Sequence, residues 1–495
     1  MLETVDLDAC LSKAEYQAIQ PTLDDQLAEL QRALRLAEIP VMLVFEGWDA
    51  AGKGSVMGRL LQPLDPRGFK VYNTAPATPE EKMRPPMRRF WLTLPNDGVI
   101  GIYNHSWYRQ VLDERVADDL SAQQVANACE RIRTFERQLT DGGAVIVKFF
   151  FHISKKEQAK RFKKLAEDSA FAWKVGKPER ERHKKYAEFQ RAAEDMLHET
   201  SMPYAPWTLV PATDERFATV RVAETLVATF QHALESRAET TVKPPKAAPR
   251  RTSPLDRVNL QLAVPREEYD KRLPKLQTEL RRLQHLCYFQ RKAVVIVYEG
   301  WDASGKGGNI RRLTRNLDPR GYEVVPIAAP QGEERTHHYL WRFWRALPKA
   351  GHFTVFDRSW YGRVMVERVE GFAKPEEWTR AYREINEFEA QLVEAGTVVT
   401  KFWLHVSKEE QLARFEARQN TPEKQWKITD EDWRNRGKWE DYYSAVSDMI
   451  EWTSTAHAPW VIVEANDKPH ARLKTLQVLI DRISAALDPK GNGKP

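Results

Sequence analysis

At 495 residues the chain exceeds what one hydrophobic core ordinarily supports, so two domains are expected, each able to bury its own interior. Hydrophobic residues make up 42% and charged residues 29%, which excludes a disordered chain, and a net charge of +6 is too small to indicate a nucleic-acid binder by itself. Cys10, Cys129 and Cys287 stand far apart without a CxxC pair, which excludes a disulfide framework or a zinc site of that kind.

In chain order, the opening MLETVDLDAC is acidic and lacks a basic stretch leading into an apolar core, so neither a secretory signal nor a transit peptide is expected. No apolar run approaches the roughly 20 residues of a membrane span. A cytoplasmic protein with no membrane partner is the expectation.

The segment VFEGWDAAGKG at Val44 to Gly54 returns as VYEGWDASGKG at Val297 to Gly307, an offset of 253 residues from Gly47 to Gly300. The same offset aligns LDPRG at Leu64 and Leu317, Phe90-Trp91 with Phe343-Trp344, and SWY at Ser106 and Ser359. It also aligns ERV at Glu114 and Glu367, and APW at Ala205 and Ala458. A period this long marks a duplicated domain, because solenoid repeats run about 20 to 50 residues. Residues 236–256, rich in proline, small polar residues and charge, read as a linker between a copy at 1–235 and a copy at 257–495.

Each copy reads as helix, strand, glycine loop, helix, then further strands alternating with helices. That order, with a glycine-rich phosphate loop (P-loop) after the first strand, predicts two tandem three-layer α/β/α domains with mainly parallel sheets. In the second copy strands are expected at Ala293–Tyr298, Phe353–Phe356, Thr397–Leu404 and Trp460–Glu464. Glu377–Glu394 has the apolar spacing of an amphipathic helix, and Asn309–Leu317 reads as the helix after the loop.

Gly300, Gly305 and Gly307 let the loop curl so that successive backbone N–H groups face one phosphate, and Lys306 supplies mobile charge. Gly307 stands where a P-loop hydroxyl would hold magnesium, so another ligand is needed. Asp302 in the loop and Asp357 at a strand end are the candidates, two carboxylates being suited to Mg2+. Arg358 and Arg363 read as phosphate clamps. Between the last two strands, Asn420–Lys438 is basic and carries Trp426, Trp433 and Trp439, as a mobile lid with its tryptophans packed inside would.

Together EGWDASGKGG, LDPRG, WRFWRALP and FDRSWYGR resemble polyphosphate kinase family 2, supported by ERV, SKEEQ at Ser407, WK at Trp426 and APW. The resemblance runs through nearly all of the second copy and recurs in the first. It implies a thymidylate-kinase-like fold with a helical lid, Mg2+ as cofactor, and inorganic polyphosphate as phosphate donor. The two-copy arrangement is similar to enzymes using AMP as acceptor; nucleoside diphosphates, or an ATP-dependent nucleotide kinase, stay open as alternatives. By the same resemblance Asp302, Lys306, Asp357, Arg358, Arg363 and Glu367 form the catalytic set. A polyanion also needs a basic track, for which Arg414, Arg418, Lys424 and Lys427 in the lid are candidates. No reader motif for nucleic acid is present. Further association between chains is left open.

In the first copy Asp357-Arg358 becomes Asn104-His105, and Gly362-Arg363 becomes Arg109-Gln110. Losing a carboxylate and an arginine predicts poor metal binding, so a scaffolding or polyphosphate-binding role is expected there.

Overall fold

The computed structural model describes residues 1–118, 120–238 and 252–488; the side chains of Asp118, Arg237, Ala238, Lys424, Trp426 and Lys427 lie outside the described residues too. Most of the expected linker at 236–256 is therefore outside them. Two compact units are present: Met1–Ala77, Arg89–Thr241 and Gly332–His338 make the first, and Thr78–Arg88, Val242–Gln331 and Tyr339–Pro495 the second.

The first unit holds strands β1 (Val41–Gly47), β2 (Phe69–Asn73), β3 (Ile100–Asn104), β4 (Val145–His152) and β5 (Trp207–Pro211). They form one sheet in the order β2-β3-β1-β4-β5, every pairing parallel. In the second unit β6 (Val294–Gly300), β7 (Tyr322–Pro326), β8 (Phe353–Asp357), β9 (Val398–His405) and β10 (Trp460–Glu464) repeat that order as β7-β8-β6-β9-β10, again parallel. Parallel strands require crossovers, and the helices between them cover the sheet, which is why the middle strands are apolar along their length. Val294 to Tyr298 on β6 are fully buried. Helix Lys13–Leu36 packs on Glu215–Ala238 in the first unit, and Arg266–Phe289 on Lys468–Leu487 in the second.

The strands lie where their β-branched and aromatic runs placed them, with ends shifted by a residue or two. The helix expected over Asn309–Leu317 runs instead over Lys306–Thr314. It starts inside the loop because Gly305, at φ 107°, turns the chain directly into the first helical residue. Pro375 opens the amphipathic helix, which spans Pro375–Glu394; proline suits a first-turn position whose N–H has no partner in the helix. The lid is a 3-10 turn, Pro422–Lys427, followed by a short helix, Asp430–Gly437, and then helix Trp439–Thr453. Asp432 Oδ2 caps the start of the short helix, accepting from the Thr429 N–H at 2.9 Å and its hydroxyl at 3.2 Å.

Candidate active site

The glycine loop leaves the carboxyl end of the central strand β6. Gly300, at φ 150°, passes so close to β9 that a Cβ would meet Leu404 O at 2.6 Å, so only glycine fits. Lys306 Nζ turns back into the loop and donates to Gly300 O at 2.6 Å and Trp301 O at 3.2 Å. Burial lowers its pKa, while Asp302, Asp357 and Glu299 favour the charged form. Trp301 anchors the loop from beneath, its indole donating to His405 Nδ1 at 3.0 Å.

Beside β6, strand β8 ends at Asp357, in register with Tyr298. Arg358 follows in the left-handed region at φ 66°, its N–H donating to Tyr298 O at 3.0 Å. That turn directs its guanidinium to the loop, with Nη2 3.4 Å from Asp302 Oδ1. Burial works against its charge, but Asp302, Glu299 and Asp357 outweigh it and raise the pKa. Asp302, Lys306, Asp357 and Arg358 are thus brought together at one sheet edge, where parallel α/β proteins place ligands. Arg363 and Glu367 pair with each other in the next turn, Nε to Oε2 at 3.2 Å, and the Arg363 guanidinium lies over Tyr339.

Arg414 does not face outward as the polyphosphate track required. It is buried, and all its N–H groups are committed: Nε to Glu410 at 2.6 Å, Nη1 to Ala303 O and Ser304 O, Nη2 to Ala465 O and Asn466 O. It ties the loop to the segment after β10. Arg418 is half-buried with its charge toward Asp432 and Asp302, and burial lowers its pKa. The side chains of Lys424 and Lys427, also expected in the track, lie outside the described residues. The tryptophans differ from the expectation as well. Trp433 packs edge-on against Phe415, but Trp439 stacks on loop residue Trp301, with centroids 4.0 Å apart and planes at 11°.

Two residues escaped the sequence reading. Glu299, the next-to-last residue of β6, is buried and accepts from Ser359 Oγ at 2.8 Å; burial raises its pKa, partly offset by that bond and by Lys306. Its repetition as Glu46 was the available signal. Asn435 on the lid helix donates to Asp302 Oδ2 at 3.0 Å, and comparison with its counterpart at the 253-residue offset, Arg182, would have singled it out.

The first unit keeps the loop scaffold and differs in the side chains around it. Lys53 donates to Gly47 O and Trp48 O at 2.8 and 2.9 Å, and Arg161 repeats the clamp of Arg414. Asn104 donates to Asn73 Oδ1 at 2.9 Å, and His105 turns to Glu46 at 3.2 Å. Arg182 grips both oxygens of Asp49, at 2.6 and 3.1 Å. Those bonds raise the arginine's pKa against the pull of burial.

Among the described residues no group of three or more acidic, histidine or cysteine side chains could hold a metal. A pair of carboxylates, Asp302 and Asp357, remains at the second loop. Hard oxygen donors in that small number suit Mg2+, which keeps several waters and takes substrate phosphate oxygens. The described residues also contain no helix long and apolar enough to cross a membrane.

A parallel sheet with a phosphate loop at its carboxyl edge and a lid defines a P-loop kinase-like domain, present twice, and in the second copy two acidic groups stand at the loop. The description Polyphosphate kinase 2 (PPK2) matches residues 10–238 and 263–490, and the chain belongs to that family. It is similar to a polyphosphate:AMP phosphotransferase from Pseudomonas aeruginosa, 43% identical over 98% of this chain and 99% of the relative. One of the same name from Acinetobacter johnsonii is 35% identical over 90% and 92%. A crystal structure described as polyphosphate kinase 2 from Pseudomonas aeruginosa PA01 superposes with a TM-score of 0.87 at 41% identity, covering 99% of this chain and 100% of that one. An ADP-polyphosphate phosphotransferase 2 from Rhizobium meliloti is 42% identical over 45% of this chain and 72% of its own.

Proposed function

We propose that the second copy, within 257–495, transfers the terminal phosphate of inorganic polyphosphate to AMP, giving ADP and a chain one phosphate shorter. The first copy, within 1–235, supports it without turnover. The observation that carries this reading is the difference between the loops: Asp302, Lys306, Asp357 and Arg358 converge at one, while Arg182, Asn104 and His105 replace that chemistry at the other. The full-length relatives named for AMP support the acceptor.

In this reading an AMP phosphate oxygen attacks the terminal phosphorus in line, and the bond to the next bridging oxygen breaks. Such transfers need little covalent help from the protein, so positioning and charge neutralisation provide most of the rate. Lys306, the loop N–H groups and Arg358 take the equatorial charge, and Arg363, held by Glu367, steadies the donor. Asp302 and Asp357 would hold Mg2+, which supplies bridging positive charge to the phosphates when bound. Arg418, Lys424 and Lys427 are the candidates for contact with the remaining polyphosphate, Arg414 being committed to the loop.

The test is ADP formation from AMP with Mg2+ and long-chain polyphosphate, in the absence of ATP. ADP, GDP and ATP are tried separately in place of AMP or polyphosphate. Lys306→Ala is expected to lower kcat by about 100-fold or more, and Lys53→Ala by less than about threefold. Turnover requiring ATP would overturn the donor, and equal losses in the two variants would overturn the single working copy.

A further inference from the structure

The lid helix Asp430–Gly437 places one neutral side chain on the loop carboxylate. Asn435 Nδ2 donates to Asp302 Oδ2 at 3.0 Å, while Arg358 lies 3.4 Å from Oδ1. The amide is itself held in place: Tyr442 OH lies 3.4 Å from Asn435 Oδ1 and 3.2 Å from Glu370 Oε1. Glu370, only 6% exposed, also meets Lys438 Nζ at 3.0 Å and Arg434 Nε at 3.4 Å. The one Tyr442 hydroxyl proton lies between the Glu370 and Asn435 oxygens, and these contacts hold the amide that donates to Asp302.

The first copy is a natural substitution of the same contacts. Arg182 replaces Asn435, and Ala117 replaces Glu370. A bidentate arginine cancels the charge of Asp49 and uses both its oxygens. A carboxamide donates one hydrogen bond to Asp302 and adds no charge, leaving the 3.4 Å contact with Arg358 as its ion pair. The two lids thus reach equivalent carboxylates, one with a neutral donor and the other with a bidentate cation.

We infer that Asn435 is a positioning residue that orients Asp302 for a divalent cation without neutralising it, and that Arg182 closes the equivalent carboxylate to cations. The inference rests on the reading of Asp302 as a metal ligand. Groups that orient metal ligands typically change affinity by about 10- to 100-fold when removed.

The full-length chain is titrated with Mn2+ followed by electron paramagnetic resonance, alongside Mg2+-dependent ADP formation. Asn435→Arg is expected to weaken Mn2+ binding by about 100-fold. Asn435→Ala is expected to weaken it by about tenfold and raise the KM for Mg2+ similarly, with kcat at saturating Mg2+ and the KM for polyphosphate within about twofold of wild type. Asp302→Asn provides the reference for loss of the ligand. If that reference binds Mn2+ as tightly as wild type, the reading of Asp302 fails. If it loses Mn2+ while both Asn435 variants retain wild-type affinity, the inference about Asn435 fails alone. Should Asn435→Ala lower kcat equally at every Mg2+ concentration with Mn2+ affinity intact, the residue serves the lid's structure and the inference is again overturned.

Discussion

At the scale of single residues, His405 couples the loop to pH. It accepts the Trp301 indole N–H on Nδ1, and burial drops its pKa from 6.5 to about 4. The folded state therefore binds this proton more weakly than the unfolded chain. Its contribution to stability is full above pH 6.5, declines as pH falls toward 4, and is constant below that. Urea unfolding at pH 7, 5.5 and 4 is expected to show a His405-dependent loss of up to about 3 kcal/mol, flattened in His405→Gln. Arg414→Ala should cost about 2–4 kcal/mol, because four backbone carbonyls and Glu410 lose their donor. Thermal melts would check this, with Arg414→Lys recovering only part, since an ammonium has three donors against five. The charges at Asp302, Lys306 and Asp357 were legible in the sequence from the loop motif and the strand end. The job of Arg414 was not, because a sequence shows that a guanidinium is present but not that backbone carbonyls surround it. Asn435 escaped for the complementary reason, being a neutral residue in a basic segment.

Among the elements, the strands were the most legible, since short β-branched and aromatic runs between helices have few other uses in a doubly covered sheet. The lid was read as a segment but not as a structure. Its basic residues serve as internal fasteners, Arg434 and Lys438 on Glu370 and Arg436 on Lys408 O at 2.7 Å, which composition alone cannot distinguish from a phosphate track. Those fasteners give the lid its own stability. Glu370→Ala removes the common partner of Arg434, Lys438 and Tyr442, and should raise amide hydrogen exchange across residues 430–442 by about tenfold, or roughly 1.4 kcal/mol of local stability. Exchange in β6 and β9 should stay unchanged. A uniform rise throughout the second unit would mean that the lid does not open independently.

For the molecule as a whole, the duplication was plain from the offset of 253 residues, but the composition of the units was not. Thr78–Arg88 belongs to the second unit, where Arg84 Nη1 donates to Leu347 O, Arg88 to Trp344 O and Arg345 O at 2.9 Å, and Ala350 N to Met83 O at 2.7 Å. Gly332–His338 belongs to the first, where Asp97 N donates to Thr336 O at 3.0 Å. These are equivalent stretches of the two repeats. No periodicity or composition announces such an exchange, because each stretch looks the same whichever unit it joins. A fragment of residues 257–495 alone should therefore melt several degrees below a mixture containing a peptide of residues 76–90, as differential scanning calorimetry would show. The exchange also sets a timetable for synthesis. The first unit contains residues that leave the ribosome roughly 100 positions after its own last helix, so at about 5–20 residues per second it waits roughly 5–20 s to be completed. During that interval the first unit lacks Gly332–His338, so the yield of folded chain is expected to depend on translation speed as well as on final stability.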